Sequence, residues 1–189
     1  MSDSNKALVG QIGSPQNRTP LILQTEVSEC GLACLAMIAG HYGYNTDMTT
    51  LRREFSISSH GTTLKQLIDI ASNMKLNTRA LKLEIEHLTE LQLPCVLHWE
   101  MNHFVILTSV TKNAVKINDP ASGERTLSLK DFSKSFTGVA LEVMPADDFK
   151  QESHESKLKI KHFWSNIIGL KRSLILIFIL SILLQLFAL

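Results

Sequence analysis

Between Gln24 and Gly43 the chain reads Gln-Thr-Glu-Val-Ser-Glu-Cys-Gly-Leu-Ala-Cys-Leu-Ala-Met-Ile-Ala-Gly-His-Tyr-Gly. Cys30 opens an apolar segment whose spacing at Leu32, Leu35, Ala36 and Ala39 predicts a helix, ending at Gly40 to Gly43 where glycine supplies a left-handed cap. The domain has to be arranged around such a segment. Gln24, an uncharged hydrogen-bond donor, stands six residues before the cysteine. A cysteine at a helix start is a candidate nucleophile, because unpaired backbone N–H groups and the positive dipole end stabilise the thiolate, the reactive species. Gly31 beside it leaves room for a substrate backbone to come close. The plainer reading of Cys30 is a small buried hydrophobe, so residues farther along have to decide.

At 189 residues the chain has room for one domain of about 150 residues with its own core, plus one appended segment. Lys plus Arg is 19 and Asp plus Glu is 18, which leaves no bulk charge to attract nucleic acid. Three cysteines, Cys30, Cys34 and Cys95, are an odd number in a chain too long for a disulfide-stapled miniprotein. Free thiols in a reducing compartment fit better, with the catalytic domain facing the cytosol. The first twenty residues are polar and lack the apolar core of a signal peptide.

The apolar excess lies at the other end. Ser173 to Leu189 is seventeen residues without a charge, about the minimum that spans a bilayer, and reads as a transmembrane helix. Lys171 and Arg172 precede it, with Lys157, Lys159 and Lys161 upstream, so the positive-inside bias places the N-terminal domain in the cytoplasm. A buried core helix is the alternative, but the run is apolar on every face. Residues 158–172 mix Leu158, Ile160, Phe163, Trp164 and Ile167 with lysines, as in a helix lying on the membrane surface.

Residues 1–19 read as a flexible arm, and residues 20–145 as the folded domain. Asp47 to Phe55 predicts a short helix with Thr49 or Thr50 near its start. After the polar loop Ser56 to Gly61, Thr62 or Thr63 caps a second amphipathic helix with Leu64, Leu67, Ile68, Ala71 and Met74 on one face. The period then changes. Thr78–Leu83, Cys95–Trp99, His103–Val110, Ala114–Asn118, Arg125–Leu127 and Val139–Met144 are short runs rich in β-formers, with a hairpin turn expected at Lys112-Asn113. A helical half followed by an antiparallel half is an α+β arrangement, with a site expected in the cleft between the two. Residues 146–157 are polar and read as a linker.

A cysteine nucleophile needs a base and a group to orient that base. His103 opens a very apolar strand, and Asn118-Asp119-Pro120 ends the next one, so a hairpin can bring His103 and Asp119 side by side. The carboxylate would then hold one ring nitrogen and leave the other facing the sulfur. Singly, a strand-start histidine and an Asp-Pro turn mean little. Gln24, Cys30, His103 and Asp119 in this order mean much more.

The segments Gln-Thr-Glu-x-x-Glu-Cys-Gly-x-Ala-Cys-Leu-Ala-Met-Ile, Asn-His-Phe-Val-Ile-Leu and Asn-Asp-Pro-Ala-x-Gly resemble peptidase family C39, the N-terminal domain of bacteriocin-processing ABC exporters of the colicin V type. The resemblance runs from about residue 18 to the chain end. It implies a papain-like cysteine peptidase fold with Cys30 as nucleophile, His103 as base, Asp119 as orienting group and Gln24 as the oxyanion-hole side chain. It brings no cofactor and no metal. The implied substrate is a bacteriocin or microcin precursor, cut after a leader ending in Gly-Gly or Gly-Ala, at the inner membrane beside other exporter domains or subunits. A cleft between the Cys30 helix and the His103 strand, with Trp99 and Met101 nearby, would exclude side chains before the cut. No Walker-type phosphate loop occurs in these residues, so ATP hydrolysis is not expected of this polypeptide.

Three other readings compete. Cys30 and Cys34 share a helix face and, with His98 or His103, would make a metal site, though structural zinc knuckles use tighter loops. A peptidase-like domain that only docks substrate would lack the nucleophile, which is present here. An inactive exporter fragment is the third.

Overall fold

The structure is a computed structural model that describes residues 18–55, 58, 61–151 and 170–187. Most of the expected arm, residues 1–17, and the stretch 152–169, which holds half of the linker and most of the surface helix, lie outside the described residues.

A 3-10 turn at Val27–Glu29 leads directly into helix α1, Cys30–His41. Every residue from Cys30 to Ala39 is buried, which is why this helix has apolar residues all round and no polar stripe. Helix α2 is Met48–Glu54, and its cap is Asp47 rather than a threonine: the Asp47 side chain accepts the Thr50 N–H at 2.7 Å. Helix α3 is Leu64–Asn73, where Thr63 and Gln66 exchange side-chain bonds with each other's backbone. These three helices form the expected helical half.

The second half is a single six-stranded sheet. Its strands are β1 Leu76–Lys82, β2 Cys95–Trp99, β3 His103–Val110, β4 Ala114–Asp119, β5 Gly123–Ser128 and β6 Phe136–Pro145, in the order β1-β6-β2-β3-β4-β5 with every pairing antiparallel. A short helix not expected from the sequence, α4 at Leu129–Ser135, lies between β5 and β6. The chain thus has the α+β architecture read from its periodicities. The last strand inserts in the middle, between the first strand and the second.

Both faces of the sheet are covered, which explains the unbroken apolar run at the start of β3. On one side Phe104 and Ile106 join Val96, Leu141 and Val143 against Cys34, Leu35 and Ile38 of α1. On the other, Val105 and Leu107 join Leu97, Trp99 and Ile117 against Phe132 of α4. Trp99 meets the Phe132 ring edge-on at 5.3 Å and is buried there, so it is not the cleft wall that its place in the sequence suggests. One buried carboxylate interrupts the sheet core. Glu142 on β6 is answered by Arg79, directly opposite on β1, at 2.6 Å and by the Gln92 N–H at 2.8 Å.

The first residues of the expected linker are packed: Ala146 N–H bonds the Lys75 carbonyl at 2.9 Å, and the Phe149 ring lies 6.2 Å from that of Tyr44. The chain divides into two units, with Ser156–Leu189 as the second. Its helix, α5, is Leu170–Phe187, and the apolar side chains from Leu174 to Phe187 are exposed. Among the described residues no helix is long and apolar enough to cross a membrane. α5 opens with Leu170, Lys171 and Arg172, and its uncharged described part, Ser173–Phe187, measures roughly 22 Å against a hydrocarbon core of about 30 Å. The span expected over 173–189 is therefore not found in this form, and its last two residues lie outside the description.

Candidate active site

Cys30 is the first residue of α1, where the helix N–H groups have no partner within the helix. The residue is only 3% exposed, yet it lines a cavity of about 620 Å³. The other walls are the 3-10 turn at Val27 and Ser28, the loop and cap residues Gly61 to Thr63, and the β2–β3 side with His98, Met101, Asn102 and Phe104. Gly31 does not serve this opening as expected. A Cβ there would press on Leu67 at 3.1 Å and meet Phe104 and Thr62 in ordinary contact at 3.5 Å, so its small size lets α1 pack closely against Leu67 of α3.

The β2–β3 hairpin brings in the histidine. Trp99 pairs with His103 across a tight turn in which Glu100 and Met101 adopt φ of 48° and 66°, unusual for residues with side chains. The turn is tied to the end of α4, since Glu100 N–H bonds the Ser135 carbonyl at 2.8 Å and Ser135 Oγ donates to Glu100 Oε1 at 2.9 Å. A helix that sequence reading overlooked therefore fixes the entry to His103.

His103 Nε2 and Asp119 Oδ1 are 2.8 Å apart. Asn118 pairs with Ile106 across β3 and β4, so Asp119 and His103 meet diagonally across the ladder rather than face to face. The carboxylate is 6% exposed and fully engaged. Its Oδ1 also accepts the Ala121 N–H at 2.8 Å, while Oδ2 accepts Ser122 Oγ at 2.5 Å and lies 3.5 Å from Arg125 Nη1. Burial works against the charge on Asp119, but the hydrogen bonds from Ser122, His103 and Ala121 outweigh it and hold the carboxyl below its usual range. Ser122 and Arg125 went unnoticed in the sequence. The available signal was Ser three residues after Asp in an Asp-Pro turn, a spacing at which the carboxylate accepts from the turn's own donors.

Burial also disfavours the imidazolium of His103. Hydrogen bonds to Cys30 first, then to Asp119, prevail and push its pKa up to about 9. The ring therefore keeps its proton at neutral pH beside a sulfur at a helix start, where it can supply that proton to a leaving group. Gln24 reaches the same region through its backbone, whose N–H bonds the Pro120 carbonyl at 2.9 Å, next to Asp119. All four residues read from the sequence thus gather around the Cys30 end of α1 and the Asp119 turn.

The other two thiols are core. Burial pushes Cys34 well up, with the Cys30 and Asp119 charges adding to it, and burial with Glu142 pushes Cys95 to about 12. His98 lines the cavity but is spoken for on one side, with Nδ1 2.8 Å from Thr137 Oγ1. Among the described residues no group of three or more His, Cys, Asp or Glu is arranged to hold a metal ion.

The profile of the Peptidase C39 family matches residues 18–148. The chain is 46% identical to the colicin V secretion/processing ATP-binding protein CvaB of Escherichia coli over 170 residues, 90% of this chain and 24% of that protein. It spans about a quarter of the length of that relative. Among solved structures, a double glycine motif protease from an AMS/PCAT transporter, in complex with the leader peptide, aligns with a TM-score of 0.64 at 33% identity. The alignment covers 69% of this chain and 94% of that one. The peptidase domain of Streptococcus ComA, a bifunctional ABC transporter involved in quorum sensing, aligns at 0.62 and 26% identity, covering 68% and 99%. With a buried cysteine at a helix start and a histidine held by an aspartate at the same site, the chain belongs to the Peptidase C39 family, and residues 18–148 are its cysteine peptidase domain.

Proposed function

We propose that this chain is an endopeptidase that removes a double-glycine-type leader from a bacteriocin or microcin precursor, in step with export by an ABC transporter. The observation that carries the reading is the grouping of Cys30, His103 and Asp119, in which His103 Nε2 lies 2.8 Å from Asp119 Oδ1 and Cys30 is among the groups that raise the pKa of the ring. Cys30 Sγ attacks the carbonyl carbon of the second glycine. Gln24 donates to the oxygen as it gains charge, and His103 gives its proton to the departing amine. Water, deprotonated by His103, then releases the leader from the thioester. Asp119 keeps the ring in the orientation that serves both steps. The likeness to a leader-bound double glycine motif protease supports this substrate class.

The uncharged run Ser173–Leu189, the basic Lys171 and Arg172 before it and the exposed apolar surface of α5 support a membrane-attached chain with its peptidase domain on the cytoplasmic side.

The test is mass spectrometry of a double-glycine precursor incubated with the full chain without ATP. The expected products are a leader ending in Gly-Gly and a mature peptide beginning at the next residue; an intact precursor would defeat the reading.

The pH dependence follows from His103. With its pKa raised from 6.5 to about 9, the ring keeps its proton through neutral pH and loses it as pH rises through 9. Turnover should hold steady between pH 7 and 8 and fall on the alkaline side with a midpoint near 9. Folding favours the protonated ring as well, so that share of stability is complete below about pH 6.5 and gone above about 9. A rate still rising at pH 10 would remove His103 as the proton donor.

A further inference from the structure

Glu29 stands one residue before Cys30, and its carboxylate is buried at 4% exposure. A buried carboxylate is costly unless its oxygens are met, and here all of its partners face one short segment and one helix. Glu29 Oε2 accepts the backbone N–H of Thr25 and that of Glu26, both at 3.1 Å. Arg52, from α2, donates through Nε to Oε1 and through Nη2 to Oε2, and the same Nη2 reaches Thr25 Oγ1 at 2.7 Å. The Gln24 N–H is meanwhile taken by the Pro120 carbonyl. Three consecutive N–H groups, of residues 24, 25 and 26, are thereby clipped, one to the Asp119 turn and two to the residue preceding Cys30.

This clip is needed because of where the segment lies. Thr25, Glu26 and Val27 are exposed, and an exposed irregular segment is mobile unless its backbone is tied down. Gln24 Oε1 is buried without a hydrogen-bond partner among the described residues, so the aim of this side chain depends on its backbone. A donor aimed at a developing oxyanion has to be held within a fraction of an ångström of its working place.

We propose that Glu29 is a positioning residue for peptide cleavage, clipping the Gln24–Glu26 segment to the start of α1 so that the Gln24 amide and the Cys30 sulfur keep a fixed separation, with Arg52 holding the clip. The proposal rests on the roles given above to Gln24 and Cys30. The ion pair with Arg52, opposed by burial and helped by the two backbone donors, holds the Glu29 carboxyl below its ordinary range, so the clip stays charged at neutral pH.

The experiment is a mutant cycle on the full chain with a double-glycine precursor, reading kcat and KM separately. Glu29→Ala should lower kcat about 10- to 100-fold while KM changes less than about twofold, because the buried Glu29 is not on the wall of the cavity. Glu29→Gln keeps an oxygen for the two N–H groups and should recover most of that loss. In a Gln24→Ala background the same Glu29 substitutions should cost no more than about twofold, since the donor they position is already gone. If Glu29→Ala does not fold, Arg52→Ala takes its place in the cycle, because it removes the group that holds the clip, and the same loss is expected. An unchanged kcat in Glu29→Ala, or in Arg52→Ala where that replaces it, or a loss of equal size with and without Gln24, overturns the proposal. Absence of cleavage by the unaltered chain would instead overturn the reading of the site itself.

Discussion

Cys30→Ala should abolish cleavage of a double-glycine precursor, a loss of more than about 10⁴-fold, while leaving the fold in place. The thioester route needs the sulfur, and nothing else in the cavity replaces it: Ser28, Thr62 and Thr63 line the walls, but among the described residues none of their hydroxyls is hydrogen-bonded to His103. Loss of one sulfur from the rim of α1 opens little space, so the melting temperature should move by only a few degrees. Cys34→Ala is the contrasting variant. Its side chain is fully buried one turn deeper, and its thiol is pushed far up by burial. It should cost about 1 to 3 kcal/mol of stability and leave kcat within a few-fold. Iodoacetamide should accordingly modify Cys30 first. Cleavage retained in Cys30→Ala would end the account.

His103→Ala should be nearly as damaging, on the order of 10³- to 10⁴-fold in kcat, because the ring supplies the proton to the leaving amine and then takes one from the attacking water. The two variants act on one unit, so Cys30→Ala combined with His103→Ala should be no worse than either alone. Asp119→Ala should cost less than His103→Ala, since it orients the ring without moving a proton. It will still be felt, because Ser122, the Ala121 N–H and Arg125 all converge on that carboxylate and lose their acceptor with it. Its signature is a fall in the alkaline midpoint of the pH profile, as one of the groups raising the His103 pKa disappears. An Asp119→Ala enzyme with the midpoint unmoved would separate Asp119 from the ring's titration.

The elements nearest the chemistry were the most legible in the sequence, for a physical reason. The helix from Cys30 and the strands from Cys95 and His103 are long, apolar and bounded by glycine or turn residues, so their period shows. Helix α4 has only seven residues and one fully buried side chain, Phe132, between polar neighbours, which gives no period to read. The central place of β6 is a property of pairing across the whole chain, and no local pattern encodes it. The same holds at the site. Cys30, His103 and Asp119 sit at element ends where their chemistry stands out, whereas Arg52 looks like an ordinary solvated charge on a short helix until α2 is packed beside Glu29. Gly31 was misjudged because its environment depends on Leu67 and Phe104, far along the chain.

The site assignment is most directly tested by reacting the full chain with a leader peptide whose C-terminal Gly-Gly carries a chloromethyl ketone, then locating the adduct by peptide mass mapping. Attack by the sulfur would expel chloride and leave a thioether. The prediction is a single adduct on the peptide containing Cys30, formed in parallel with loss of cleavage and absent from Cys30→Ala. Cleavage lost with Cys30 unmodified, or an adduct on Cys34 or Cys95 instead, would contradict it.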